Sequence, residues 1–350
     1  MRTYRLLAAG MTLTTLLLAA PARPETRGVA DPVPAATARA VVQKTIELVE
    51  ADGLYPRSQD EYVAAKARLL RALDSAGQQV DRPALFRHLT AMLQTLDADG
   101  HTMIFPPVVE RQFRQDFSAA RTAAHTSSFA LLRTAHGQVL HWTPPQSYGE
   151  LKTEGPLFVQ RFVRDYDAVP GAARGCALVV DLRGQHGGNA WPVLMTMHPL
   201  LSQANRAVFV KRDGARERLF DQKQLPSMQV YFGGDARNPL LRFSGQPLAV
   251  VVGGKTSSAG EMLLVALLGE GERVRTFGHR SQGSTTANKS HVLPDGSMLL
   301  LTTSRYALGD TAPIRGSILP QVPARADETA ADTVRRAAEW AAQSSPMCRG

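Results

Sequence analysis

Apolar residues recur three and four positions apart through Ala40, Val41, Ile46 and Val49, then through Tyr62, Ala65, Leu69 and Leu73, and again from Leu85 to Leu96. That period keeps apolar side chains on one face of a helix, so the stretch predicts three amphipathic helices forming a small helical domain. Its end is marked by the turn-forming Asp97, Ala98, Asp99 and Gly100. Val109 to Ser127 is a polar, helix-prone connector, too short to be an inserted peptide-binding domain. From Ser128 the pattern changes to short apolar runs: Phe129 to Arg133, Val139 to Trp142, Ala177 to Leu182, Ala207 to Lys211, Leu248 to Val252, Arg273 to Phe277 and Met298 to Tyr306. Helical stretches such as Pro156 to Tyr166 separate them. Strands alternating with helices predict an α/β domain built on a largely buried sheet. Asp327 to Gln343 predicts a final amphipathic helix.

At the start of the chain Arg2 and Arg5 precede the apolar run Leu13 to Ala20, which closes on the small residues Ala20, Pro21 and Ala22. This reads as a cleavable signal peptide. The run is too short to cross a bilayer, so the expectation is a periplasmic or secreted protein with no stable membrane anchor. The predicted division is a signal peptide over 1–22, a helical domain over 23–108, a connector over 109–127, an α/β domain over 128–326 and a C-terminal helix and tail over 327–350.

The formal charge of +9 includes Arg2 and Arg5, and the remaining basic residues are scattered rather than interleaved with aromatics. Nucleic acid is therefore not an expected partner. Two cysteines, Cys176 and Cys348, are too few for a disulfide scaffold. An oxidising compartment permits one bridge between them. The expectation is nonetheless two unpaired residues, Cys176 as a small buried side chain ahead of a strand and Cys348 in a frayed tail.

Two segments carry chemistry. Val250–Gly254 runs into Lys255, Thr256, Ser257, Ser258, Ala259, Gly260 and Glu261, followed by the apolar stretch Met262 to Leu268. A serine placed where a strand turns into a helix is exposed at the sheet's end, and the free N–H groups of the helix terminus can stabilise an oxyanion. Ser258 and the N–H of Ala259 fit those roles. The plainer reading is that these hydroxyls only cap the helix, with Glu261 completing a capping box. The second segment is Ala177 to Leu182 followed by Arg183, Gly184, Gln185, His186, Gly187, Gly188 and Asn189, with a helix starting near Trp191. Its glycines let backbone approach a substrate, so N–H groups at Gly187 and Gly188 could complete an oxyanion hole. A phosphate loop would need a Lys and Ser/Thr that this spacing lacks. Asp181 and Arg183 read as structural.

Together these segments resemble the tail-specific protease family, which includes the carboxyl-terminal processing peptidases and the tricorn core. Asp181 to Gly188 is similar to the family's Asp-Leu-Arg-Gly-Asn-x-Gly-Gly, with Gln185 for Asn; Thr256 to Glu261 resembles Ser-Ala-Ser-Ala-Ser-Glu; and Leu293 to Ser297 matches Leu-Pro-Asp-Gly-Ser. The resemblance implies a ClpP/crotonase-like catalytic domain preceded by the small helical domain, Ser258 as nucleophile and a polypeptide substrate.

A serine hydroxyl needs a neighbouring base. The processing peptidases use a lysine, but Gln282, Gly283, Ser284, Thr285 put Ser284 where it would stand; Lys255 is too close to the nucleophile and Lys289 too far on. Leu96 to Thr102 resembles the Leu-x-Asp-x-His-Thr of the tricorn branch, which implies His101 as general base, a role imidazole suits near neutral pH. The acid that orients such a histidine is absent from its expected place: the matching stretch reads Pro313, Ile314, Arg315, Gly316, Ser317, Ile318, Leu319, Pro320, Gln321. Asp310, Asp99 or Asp97 are the substitutes on offer, and a weak Ser–His dyad with no acid is the alternative. No His/Asp/Glu cluster has metal-ligand spacing, so neither a metal nor any other cofactor is expected.

Three functions remain: a serine endopeptidase working on extended polypeptide through an acyl-enzyme, a binding protein on the same fold that has lost catalysis, and an esterase or β-lactamase-like hydrolase. The last is disfavoured because Thr256 breaks the Gly-x-Ser-x-Gly elbow and no Ser-x-x-Lys surrounds Ser258.

Overall fold

The computed structural model describes residues 32–54, 58–96, 101–107, 127–147, 151–220 and 237–349. The signal peptide and most of the connector expected from the sequence lie outside them. In chain order the elements are β1 (Val33–Pro34), α1 (Ala35–Asp52), α2 (Gln59–Asp74), β2 (Gln79–Val80), α3 (Arg82–Leu93), β3 (Met103–Phe105), β4 (Ser128–Thr134) and β5 (Gly137–Thr143). They continue with α4 (Leu151–Asp167), β6 (Ala177–Asp181), α5 (Trp191–Met197), β7 (Ala207–Lys211), β8 (Arg216–Arg218), β9 (Leu248–Val252) and α6 (Ala259–Leu268). The last are β10 (Val274–Gly278), β11 (Thr286–Val292), β12 (Met298–Leu308), β13 (Val322–Pro323) and α7 (Ala330–Ser344).

Helices α1–α3 occupy the three periodic stretches. Two of them start on side-chain caps: Ser58 accepts from the Glu61 N–H, and Asp81 from the Ala84 N–H. Their apolar faces meet in one cluster that also takes in Leu293, Leu299 and Leu301. The helices thus pack on the β11–β12 hairpin rather than only on one another. The hairpin's tip carries Asp295, which accepts from Arg82 Nη1 at 2.8 Å and from the Ser297 N–H at 3.0 Å, so the Leu-Pro-Asp-Gly-Ser motif ties α3 to the hairpin.

The main sheet has the order β13-β10-β9-β6-β5-β4 and is parallel except for the β4–β5 hairpin. Its two central strands are buried along their whole length. Alternate residues explain why: Leu178, Val180, Leu248, Val250 and Val252 enter the large core under α4, α5 and α6, while Ala177, Val179, Ala249 and Val251 face α7. α7 meets that face with Val334, Ala337, Ala338, Ala341 and Ala342, small side chains that let helix and sheet approach closely.

A second sheet, ordered β11-β12-β7-β8, stands beside it, with β3 pairing Met298–Leu300 of β12. The sequence reading passed over β11 because its Thr-Ala-Asn-Lys-Ser-His-Val run is polar, which an edge strand tolerates. It also left Cys176 and Cys348 unpaired, and here the structure corrects it. They form a disulfide with Cα atoms 5.0 Å apart. The tail is not frayed: α7 lies along the sheet, and beyond it the buried Ser345 Oγ donates to the Cys176 carbonyl at 2.7 Å, returning the chain to the start of β6.

Candidate active site

The end of β9 turns sharply into α6. Thr256, fully buried, fixes this turn: its Oγ1 accepts from the Gly253 N–H at 3.1 Å and donates to the Leu182 carbonyl at 2.9 Å. The Ser257 N–H donates to the Gln185 carbonyl at 2.9 Å, and a Cβ on Gly260 would lie 2.4 Å from that same carbonyl oxygen. Only glycine admits so close a contact. The two glycine-bearing loops read from the sequence are therefore zipped together at the ends of neighbouring strands. Ser258, at the head of α6, has φ 49° and ψ −108°, and among the described residues it is the one non-glycine with positive φ. Such a conformation costs on the order of 1–3 kcal/mol and persists only where the surroundings impose it.

Across from it, Gly187 and Gly188 take φ of 127° and 100°, and a Cβ at Gly187 would sit 3.5 Å from that of Ser258. The loop holding them is anchored by Gln185, whose amide Nε2 donates to the Pro144 carbonyl at 2.5 Å. Asp181 anchors the strand end below: Arg183 grips it through Nε (2.9 Å) and Nη2 (2.6 Å), and His141 Nε2 lies 3.1 Å away. Burial pushes the Asp181 carboxyl up, but the hydrogen bonds from His141 and Arg183 and the guanidinium charge outweigh it and hold it at about 2. Because the folded value lies below the ordinary 3.8, the stabilisation is complete above pH 4 and lost as pH falls toward 2. Denaturation of wild type and Asp181→Asn compared from pH 6 down to 2.5 should therefore show a stability gap that shrinks by about 2 kcal/mol across this window.

The helical part of the chain supplies His101, just ahead of β3. Its Nε2 lies 3.2 Å from Ser258 Oγ, although 157 residues separate them in sequence. Its Nδ1 lies 2.5 Å from the hydroxyl of Thr286, and its carbonyl accepts from Asn288 Nδ2 at 3.1 Å. The next residue is held too: Thr102 Oγ1 accepts from the Thr302 N–H at 3.2 Å. Of the acids considered as its partner, Asp97 and Asp99 lie outside the described residues, and Asp310 is exposed in the turn after β12, away from the cleft. Ser284 lines the cleft where a lysine was sought, Lys255 is exposed, and Lys289 pairs with Asp52 at 2.8 Å.

Glu261, fully buried one turn into α6, does more than cap it. Its carboxylate accepts from the Ser258 N–H at 3.0 Å, from Ser281 Oγ at 2.5 Å and from the Gly283 N–H at 2.7 Å. Burial pushes its carboxyl up, opposed by these donors. The same residue thus orients the Ser258 backbone and fixes the 281–283 loop that leads into β11.

Ser258, His101, Gly187, Gly188 and Ala259 all line one cleft of about 1300 Å³. Its walls bring together Phe105, Trp191, Phe209, Met262, Met298 and Leu300, and the edge strand β11 contributes Thr286–Ser290. Among the described residues no group of three or more His, Cys, Asp or Glu is placed to hold a metal ion.

Residues 159–324 match the profile of Peptidase family S41. This segment belongs to that family. It contains Ser258, Gly187, Gly188 and Thr286, while His101 precedes it. The chain is also 31% identical over 130 residues to the "Nisin-resistance protein" of Lactococcus lactis subsp. lactis, 36% of this chain and 39% of that relative's length. Two solved structures share the fold: a lipoprotein from Streptococcus agalactiae, with a TM-score of 0.66 at 17% identity over 90% of this chain and 98% of that one, and the photosystem II D1 C-terminal processing protease, with 0.57 at 14% identity over 87% and 97%. The S41 segment and its neighbours account for the mixed α/β architecture; the resemblance to the tricorn branch has no counterpart among these relatives.

In the candidate site, sequence reasoning missed Thr286 and Asn288. They stand two apart on β11, so alternation puts them on one face, but nothing local to them announces which strand they pair with or that His101 lies beyond it.

Proposed function

We propose that the protein is an exported serine peptidase in which Ser258 is the nucleophile and His101 its general base. The observation that carries this reading is the 3.2 Å contact between Ser258 Oγ and His101 Nε2 at the floor of the cleft. His101 Nε2 takes the Ser258 proton as Oγ attacks the scissile carbonyl carbon, and returns it to the departing amine; water then enters by the same route to release the acyl group. The oxyanion formed at each stage is received by N–H groups of Gly187 and Gly188, in a loop preset by glycine geometry beside Ser258, and of Ala259 at the start of α6. A polypeptide lies extended along the free edge of β11, with apolar side chains against Phe105, Trp191, Met262 and Leu300. Export agrees with the Cys176–Cys348 bridge, which requires an oxidising compartment. Among the described residues no helix is long and apolar enough to cross a membrane. A relative named for nisin resistance and another named as a lipoprotein fit a peptide substrate met at the cell envelope.

A fluorophosphonate probe tests the reading. Wild type is expected to label covalently, Ser258→Ala not at all, and His101→Ala at least about a hundredfold more slowly. A folded wild type that does not label points instead to a binding protein that has lost catalysis.

A further inference from the structure

Resting on the Ser258–His101 reading, we propose that Thr286 is the positioning residue of this site: its hydroxyl holds the ring of the general base. Both ring nitrogens of His101 have partners, Nε2 toward Ser258 Oγ at 3.2 Å and Nδ1 toward Thr286 Oγ1 at 2.5 Å. That is the arrangement in which a base faces its nucleophile while a third group fixes the ring. For Nε2 to take a proton, Nδ1 must carry its own and donate it to the Thr286 oxygen.

Thr286 is built to be immobile. It is 1% exposed, lies opposite Arg305 in the β11–β12 ladder, and its carbonyl accepts from the buried Tyr306 hydroxyl at 3.0 Å. One residue further the register shifts, Ala287 facing Ser304 and Asn288 facing Thr302, so the extra residue is Thr303 of β12 and β11 keeps its alternation. Asn288 then holds the His101 carbonyl, so strand β11 grips the histidine at ring and backbone together.

A neutral orienter also suits its surroundings. The buried Glu261 carboxylate already occupies this region, and with burial it pushes the Tyr306 phenol up. A second carboxylate at position 286 would be desolvated beside it, and like charges at close range resist joint ionisation. A hydroxyl fixes the ring without adding charge.

The test measures fluorophosphonate labelling as kinact and KI separately, with melting followed by circular dichroism. Thr286→Val keeps the shape and removes the hydroxyl; kinact is expected to fall roughly ten- to hundredfold with KI unchanged. Thr286→Ser is expected to restore kinact to within about threefold of wild type, which a purely structural role for the threonine methyl would not allow. Wild-type kinact in Thr286→Val overturns the proposal while leaving the Ser258–His101 pair intact. So does an Asp99→Asn variant that loses labelling while Thr286→Val does not. A wild type that fails to label overturns the pair and the positioning role together.

Discussion

Replacing Ser258 by glycine is expected to abolish peptide hydrolysis and, relative to Ser258→Ala, to raise stability by about 1 kcal/mol. Both variants remove the proposed nucleophile, and loss of a nucleophile that works with its base lowers kcat by on the order of 10⁴-fold or more. They differ in backbone. At φ 49° and ψ −108° an alanine carries the same Cβ strain as the serine, whereas glycine relaxes it. That relief, on the order of 1–3 kcal/mol, exceeds the 0.5–1 kcal/mol by which glycine's extra freedom favours the unfolded chain. Denaturant midpoints of the two variants give the difference directly. Equal stability, or a less stable glycine variant, would show that the turn holds Ser258 without strain and that its conformation serves some purpose other than presenting Oγ.

Breaking the Cys176–Cys348 bridge is expected to have the largest effect on stability of any single change outside the site. It closes a loop of 172 residues. By loop-closure entropy such a cross-link destabilises the unfolded chain by about 5 kcal/mol, comparable to the whole stability of many domains. The bond also fixes the segment after α7, whose apolar face covers one side of the central strands. Urea denaturation of the oxidised protein against the reduced one and against Cys348→Ser should show a fall of several kcal/mol. The cleft lies at the strand ends and along β11, not under α7, so fluorophosphonate labelling of the remaining folded protein should be unchanged at low denaturant. A change below about 1 kcal/mol would mean that the unfolded chain is already compact around this pair.

Much of this protein was legible one segment at a time. The spacing of Val41, Leu69 and Leu89 marked helices with one buried face, and the unbroken apolar runs at 177–180 and 248–252 marked strands of a largely buried sheet. The glycines at 187 and 188, and a serine where strand meets helix, located two segments that face the cleft. These features follow from local geometry: side-chain period, the conformations only glycine reaches, and the free N–H groups of a helix start. His101 was read as the partner of Ser258 only through a family resemblance, and the contacts of Thr286 with His101 and of Cys176 with Cys348 were decided by tertiary structure alone. His101 reaches Ser258 because β3 pairs with β12, β12 with β11, and the loop before β11 is hung from Glu261. The β3–β12 pairing joins residues almost two hundred positions apart and depends on strand register, and no periodicity within a segment encodes that choice. Among the described residues the fold brings Thr286, on a polar edge strand, to the His101 ring.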